Sequence, residues 1–278
     1  MTASLWPAPA KLNLFLRVTG RRPDGYHSLQ TVFQFLDLAD EVELGVRGDG
    51  AVHRVSSLPG VPPEEDLVVR AARLLQAETG TGLGVDLVVR KRIPAGGGLG
   101  GGSSDAATTL IALNRLWGCG LSRERLQALG LQLGADVPVF VFGRDAFAEG
   151  VGEALQPLEL APAWYVVISP GVEVPTAEIF SAQDLTRNTP PLIIADFAAS
   201  TTRNDLQPVA CSRYPEVLRV IEWLDVHAPA RMTGSGACVF AEVSSEDEAE
   251  RITKDCPPPW KAWKARSTAR HPLYEWLQ

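Results

Sequence analysis

Between Pro94 and Ala107 the chain reads P-A-G-G-G-L-G-G-G-S-S-D-A-A, and six of these fourteen residues are glycine. A run this dense strips the backbone of side chains, so main-chain N–H groups can converge on one concavity. It follows a β-patterned stretch at Val85, Leu87 and Val89. An apolar helical pattern comes next, expected to start after Ser104 and to stop at Trp117–Gly118. The segment therefore reads as a loop feeding a helix N-terminus, where unpaired amides and aligned peptide dipoles bind phosphate without a lysine. Glycines that bound nothing would only cost conformational entropy, which makes a plain flexible loop the weaker reading.

Bulk properties narrow the partner. The chain has 278 residues, 45% of them hydrophobic, enough for two modest domains or one large one. Its formal net charge of −7 argues against nucleic acid and for a small substrate bringing its own countercharges, with a metal bridge as one way to do so. Cys119, Cys211, Cys238 and Cys256 are scattered, with no CxxC spacing, which suits a reducing compartment. The start M-T-A-S-L-W-P-A-P-A lacks the blocks of a signal peptide, and no apolar run is long enough to span a bilayer. The expectation is a cytoplasmic chain without membrane partners. Monomer and weak homodimer stay equally open.

Period-two alternation from Lys11 to Val18 predicts a strand with Lys11 and Asn13 on one face. The turn G-R-R-P-D-G-Y-H leads to a second strand near Thr31 to Leu36. A helix is expected from Asp66 to Gly80 and another from its N-cap Ser122 through Leu126, Leu129 and Leu133. Glycine, proline and acidic residues cluster from Gly150 to Pro162, placing a domain boundary there. Beyond it the pattern is strand (Trp164 to Ile168), helix (Pro215 to His227), strand (Cys238 to Val243), helix (Glu246 to Lys254) and strand (Lys261 to Ala265), which suits a ferredoxin-like α+β layer.

Two familiar nucleotide signatures fit poorly. No lysine follows the glycines, so the Walker pattern is absent. Gly96, Gly98 and Gly101 satisfy G-x-G-x-x-G, but in a glycine run that match is nearly automatic, and Gly120 and Leu121 stand where the dinucleotide motif wants an acid. P-x-x-x-G-L-G followed by small residues and serine resembles the phosphate loop of the GHMP kinases. The longer G-G-G-L-G-G-G-S-S-D-A-A is similar to the branch acting on a cytidylyl methylerythritol. Other segments agree: A-P-A-K-L-N-L-F-L from Ala8, R-R-P-D-G-Y-H-S-L-Q-T-V-F from Arg21, L-G-A-D-V-P-V-F from Leu133, N-D-L-Q-P from Asn204 and M-T-G-S-G-A-C-V-F from Met232.

The resemblance implies a two-domain α+β kinase with a ribosomal-protein-S5-like domain over residues 1–155 and a ferredoxin-like domain over 156–278. It implies ATP-dependent phosphorylation of the substrate's 2-hydroxyl, with Mg²⁺ bridging the phosphates. ATP would lie on Pro94, Ala95, Gly96, Gly97, Gly98, Leu99, Gly100, Gly101, Gly102, Ser103 and Ser104, with Ser104 a weak candidate metal ligand. Lys11 and Asp136 match the family's catalytic pair. From the residues alone, Lys11 also reads as a solvated strand lysine and Asp136 as a helix N-cap ahead of Pro138. A carboxylate at hydrogen-bond distance can take the proton of an attacking hydroxyl, and a neighbouring ammonium favours its ionised form and steadies charge on oxygen. Asn13 marks the same face as a polar cleft. By resemblance Tyr26 and Phe180 would sandwich cytosine, His27 would hydrogen-bond its edge, and Thr176 would lie nearby; alone they read as turn decoration and as a short helix with its core residue. Gly234-Ser235-Gly236 reads as a tight turn that the family places against the active site. Asp105 puts a charge beside the loop where the family pattern is neutral, and it is expected to point into the first turn of the helix.

Overall fold

The computed structural model describes residues 3–56, 60–194, 197 and 203–277. The first half runs β1 (Ser4–Arg21), β2 (His27–Arg47), β3 (Val52–Arg54), α1 (Leu67–Thr79), β4 (Gly84–Arg90), α2 (Gly101–Leu116), α3 (Arg123–Leu133), α4 (Val137–Phe142), β5 (Ala146–Glu149) and β6 (Ala154–Pro157). The second runs β7 (Trp164–Ser169), α5 (Thr176–Ser181), α6 (Gln207–Arg213), α7 (Pro215–Asp225), β8 (Ala230–Met232), β9 (Val239–Val243), α8 (Glu246–Asp255), β10 (Lys261–Thr268) and a 3₁₀ turn at Tyr274–Leu277.

Local chemistry sets several boundaries as expected. The Asp66 carboxylate accepts from the Val68 amide to start α1, which Gly80 ends in a left-handed conformation. Ser122 caps α3 by accepting from the Arg125 amide. Two expectations shift. Helix α2 begins at Gly101, not after Ser104, because the Ser104 amide already reaches the Gly100 carbonyl at 2.8 Å. Strand β2 runs to Arg47, far past Leu36. Its polar stretch is held by pairing with β4 and by ion pairs, including Glu43 with Arg90 at 2.7 Å and Glu41 with Arg92 at 2.8 Å.

In the second half the strands pair antiparallel in the order β10–β7–β9–β8. Fourth, first, third and second strands side by side, with helices in the β-α-β-β-α-β connections, make the expected ferredoxin-like layer. Ser267 and Thr268 of β10 pair with Leu36 and Phe35 of β2, stitching the halves into one continuous sheet. Strand β6 still belongs to the first half, and the change of sheet falls between Pro157 and Trp164. The C-terminal tail crosses back: Leu273 and Leu277 enter the first half's core, and Trp276 packs edge-on against Trp6 at 4.5 Å.

Three apolar clusters follow from this layout. One lies under α1–α4, one under α5–α8, and a third, with Leu12, Leu14, Phe15, Leu99, Tyr165 and Phe240, lies between the halves. Strand β1 is thus covered on both faces, so its alternation does not divide buried from solvated residues. Phe15 is 2% exposed and Lys11 1%, which removes the solvated reading of Lys11.

Asp145, just before β5, accepts from the Phe35 amide at 3.0 Å, and burial pushes its carboxyl up to about 7. A raised native pKa favours the protonated fold, so this contribution is present below the unfolded value near 4 and is lost as pH rises to about 7. Asp145→Asn should therefore flatten the fall in Tm between pH 4 and 7 relative to wild type, as thermal melts across that range will register.

Candidate active site

The glycine loop is pressed between the halves. The amides of Ala237 and Cys238 donate to the carbonyls of Gly96 and Gly97, each at 3.1 Å, fixing the loop to the turn ahead of β9. Leu99 is buried among the residues between the halves, leaving the glycines as the loop's bare surface. At Gly98, with φ +72°, an added Cβ would lie 2.2 Å from the Thr233 carbonyl oxygen. Gly100, also at φ +72°, would drive a Cβ to 2.8 Å from the Phe140 ring and 3.1 Å from Lys11 Cε. Gly100 precedes α2 without any side-chain cap, so the first amides of that helix lack an internal acceptor. The loop does lead into a helix N-terminus with bare amides, an arrangement that suits an anion.

Lys11 stands beneath the loop. Its Nζ donates to Asn13 Oδ1 at 2.5 Å and to the Gly98 carbonyl at 3.0 Å, and lies 3.2 Å from Asp136 Oδ2. Asn13 is fixed in turn: its Nδ2 donates to Thr31 Oγ1 and its amide to Thr233 Oγ1, both at 2.9 Å. Asp136 does occupy the N-cap of α4, but its side chain makes no capping bond. The carboxylate turns to Lys11 and keeps 38% of its side chain exposed, against 2% for the lysine. A buried ammonium thus backs an accessible carboxylate, which suits proton acceptance from a hydroxyl arriving through the cleft. Thr31 and Thr233 lie within the segments that begin at Arg21 and Met232, but their supporting roles emerge only from the fold.

Asp105 does not point into the first turn of α2 but forms an ion pair with Lys91 at 2.7 Å, and the Lys91 ammonium would lie 3.2 Å from a Cβ added at Gly101. Lys91 also meets Asp40, whose Oδ1 accepts the Ile93 amide at 2.8 Å. Burial raises the Asp105 carboxyl to about 7 despite Lys91. The trio ties the end of β4 to the first turns of α2, bracing the loop from both sides.

Ser103 and Ser104 separate. A Cβ on Gly134 would lie 3.9 Å from Ser103 Oγ, so this hydroxyl borders the turn that leads to Asp136. Ser104 is fully buried, and its Oγ has no hydrogen-bond partner. Among the described residues, no group of three His, Cys, Asp or Glu side chains could hold a metal.

The remaining candidates gather at the β1–β2 turn and α5. Tyr26 is 64% exposed at the turn, while His27 is 9% exposed and stacks on Phe180, ring centroids 5.2 Å apart. Thr176 Oγ1 and Ser235 Oγ lie 2.7 Å apart, linking α5 to the Gly234-Ser235-Gly236 turn, which touches the loop at Gly98. Arg187 donates from Nε to His27 Nε2 at 3.0 Å. The sequence offered no signal for Arg187, which lies in the irregular segment D-L-T-R-N-T-P-P. Asn204, given no chemical role, donates to the carbonyls of Met232 at 2.9 Å and Gly234 at 2.8 Å and so shapes this turn.

Residues 66–144 match the family described as the GHMP kinases N terminal domain, and residues 189–257 match the GHMP kinases C terminal. A protein of Aromatoleum aromaticum called 4-diphosphocytidyl-2-C-methyl-D-erythritol kinase is 68% identical over 98% of this chain and 95% of its own length. One of the same name from Azoarcus is 69% identical over 96% of this chain and 95% of its own. A crystal structure of 4-(cytidine 5'-diphospho)-2C-methyl-D-erythritol kinase, 36% identical, superposes with a TM-score of 0.83 over 95% of this chain and 99% of the other. The α+β architecture in two halves is that shared fold. Among the described residues, no helix is long and apolar enough to cross a membrane.

Proposed function

The chain belongs to the GHMP kinase family, and on that premise we propose that it transfers the γ-phosphoryl group of ATP to the 2-hydroxyl of 4-diphosphocytidyl-2-C-methyl-D-erythritol. The observation that carries the chemistry is the Lys11–Asp136 pair, 3.2 Å apart beside the loop carbonyl of Gly98. The names and near-complete coverage of the relatives carry the substrate.

The triphosphate lies along Pro94 to Ser104, its charge met by the amides at the mouth of α2. Asp136 accepts the 2-hydroxyl proton as the oxygen bonds to phosphorus, and Lys11 orients the carboxylate and steadies charge on the transferring group. Phosphoryl transfer depends mostly on positioning and charge neutralisation, and Mg²⁺, when bound, supplies part of the latter. Asn13 holds Lys11 at its post. At the far end of the substrate, Tyr26 packs on the cytosine with Phe180 on the other side of the pocket, His27 reads the base edge, and Thr176 borders the pocket. The division near residue 155 then separates a catalytic half from one that closes the cleft.

An ADP-release assay with a panel of alcohols, including the cytidylyl substrate, homoserine and mevalonate, tests the reading. Turnover should be confined to the cytidylyl substrate; preferred turnover of another alcohol overturns the assignment. Tyr26→Ala should raise KM for that substrate by about tenfold or more, the scale of one lost aromatic stack, and leave KM for ATP nearly unchanged. Equal effects on both would remove Tyr26 from the base site.

A further inference from the structure

Arg187 is placed for a purpose that packing alone does not require. Its Nη1 donates to the Leu185 carbonyl at 3.0 Å, and its Nη2 donates to the carbonyls of Phe180 at 3.0 Å and Ala182 at 2.6 Å. These bonds lock the guanidinium plane and aim Nε at one atom, Nε2 of His27, at 3.0 Å. The imidazole is equally confined, stacked on Phe180 with the planes 29° apart and held at the start of β2 opposite Arg21.

A guanidinium has five N–H groups and nothing that accepts. Nε2 must therefore accept, and a neutral imidazole in this bond carries its one proton on Nδ1. Burial, then Arg187, then Arg21 hold the imidazole's pKa below its ordinary value, so the ring is neutral at physiological pH. Among the described residues, the charged groups that act on it are these two arginines, one on the segment after α5 and one on β1.

We propose that Arg187 sets base specificity by fixing His27 as a hydrogen-bond donor at Nδ1. This rests on the reading of His27 as a contact to the base. Cytosine presents ring N3 as an acceptor where uracil presents an N3–H, while the O2 carbonyl is common to both, so the discriminating bond is one from His27 Nδ1 to N3. A fixed donor therefore completes a bond with cytosine and opposes uracil donor to donor, leaving a buried N–H unpaired. Arg187 touches no reacting atom and acts through His27 as a positioning residue.

Nitrogen NMR of the full-length protein, with the His27 signal assigned by its loss in His27→Gln, should show an Nδ1-protonated ring at pH 7.5. An Nε2-protonated ring overturns the proposal. Kinetically, Arg187→Met should lower the preference for the cytidylyl over the uridylyl substrate by about tenfold or more, within the range of one unpaired buried donor. The loss should fall on KM for the cytidylyl substrate, not on kcat. Without the arginine the pKa of the ring rises, though burial and Arg21 still hold it below its ordinary value, and protonation at acid pH puts donors on both nitrogens. Selectivity of the variant should therefore recover as pH falls, and wild type should show no such recovery. Arg187→Lys, which keeps a cation and a donor, should retain more selectivity than Met and serves if the Met variant folds poorly. A pH-independent loss shared by kcat and both KM values, or unchanged selectivity, overturns the proposal. If Tyr26→Ala still raises the cytidylyl KM, the base site stands and only the role of Arg187 falls; if it does not, the base site itself is wrong.

Discussion

Asp136→Asn should lower kcat by about 10²–10⁴-fold, the range for losing a positioned general base, while both KM values stay within a few fold. The substitution is nearly isosteric. The carboxylate makes no capping bond to α4, so the helix keeps its start, including Pro138 in its first turn. Lys11 loses an anion but keeps Asn13 Oδ1 and the Gly98 carbonyl as acceptors, so the buried ammonium is not stranded. What disappears is the accessible acceptor for the hydroxyl proton. Steady-state kinetics with a melting curve separates the outcomes: a Tm near wild type with turnover down by orders of magnitude is expected, and turnover within a few fold would dismiss Asp136 as the base.

Gly98→Ala should be the most damaging single methyl group in the loop. Alanine at φ +72° is strained by about 1–2 kcal/mol. Its Cβ would also lie 2.2 Å from the Thr233 carbonyl oxygen, a distance that no side-chain adjustment relieves because the obstacle is backbone. Thr233 cannot simply yield, since its amide is bonded to Cys238 and its hydroxyl accepts the Asn13 amide. The loop must therefore shift, dragging the Gly98 carbonyl away from Lys11. The expected result is a KM for ATP raised at least about tenfold and a Tm lowered by several degrees, at roughly 2–4 °C per kcal/mol for a chain of this size. Gly102→Ala is the control: it lies inside α2, its Cβ would meet only Leu67 Cδ1 at an ordinary 3.6 Å, and alanine is the better helix former there. Its Tm should equal or exceed that of wild type. Equal melting and ATP affinity for Gly98→Ala and wild type would mean that the loop is not braced as described.

The parts of this site visible in the sequence are those written in local chemistry. The glycine run, the caps at Asp66 and Ser122, and the side-by-side Lys11 and Asn13 each follow from spacing along one element. The choice between readings of Lys11 and Asp136 does not, because it depends on contacts across the fold. Only the covering of both faces of β1 shows that Lys11 is buried, and only the ion pair shows that Asp136 is more than a cap. Strand β2 outruns its apolar pattern for a related reason: Asp40, Glu41 and Glu43 break the alternation, and their partners on and just after β4 come from across the fold. Arg187 has no such mark, since a single arginine in an irregular segment carries no periodicity.

A crystal structure with a non-hydrolysable ATP analogue and the cytidylyl substrate will show whether bare amides at the mouth of α2 hold the triphosphate within reach of Asp136. The account predicts phosphate oxygens against the amides between Gly98 and Ser103, with the substrate 2-hydroxyl at hydrogen-bond distance from Asp136. A triphosphate seated away from that loop, or a substrate hydroxyl out of reach of Asp136 with the loop occupied, would contradict it.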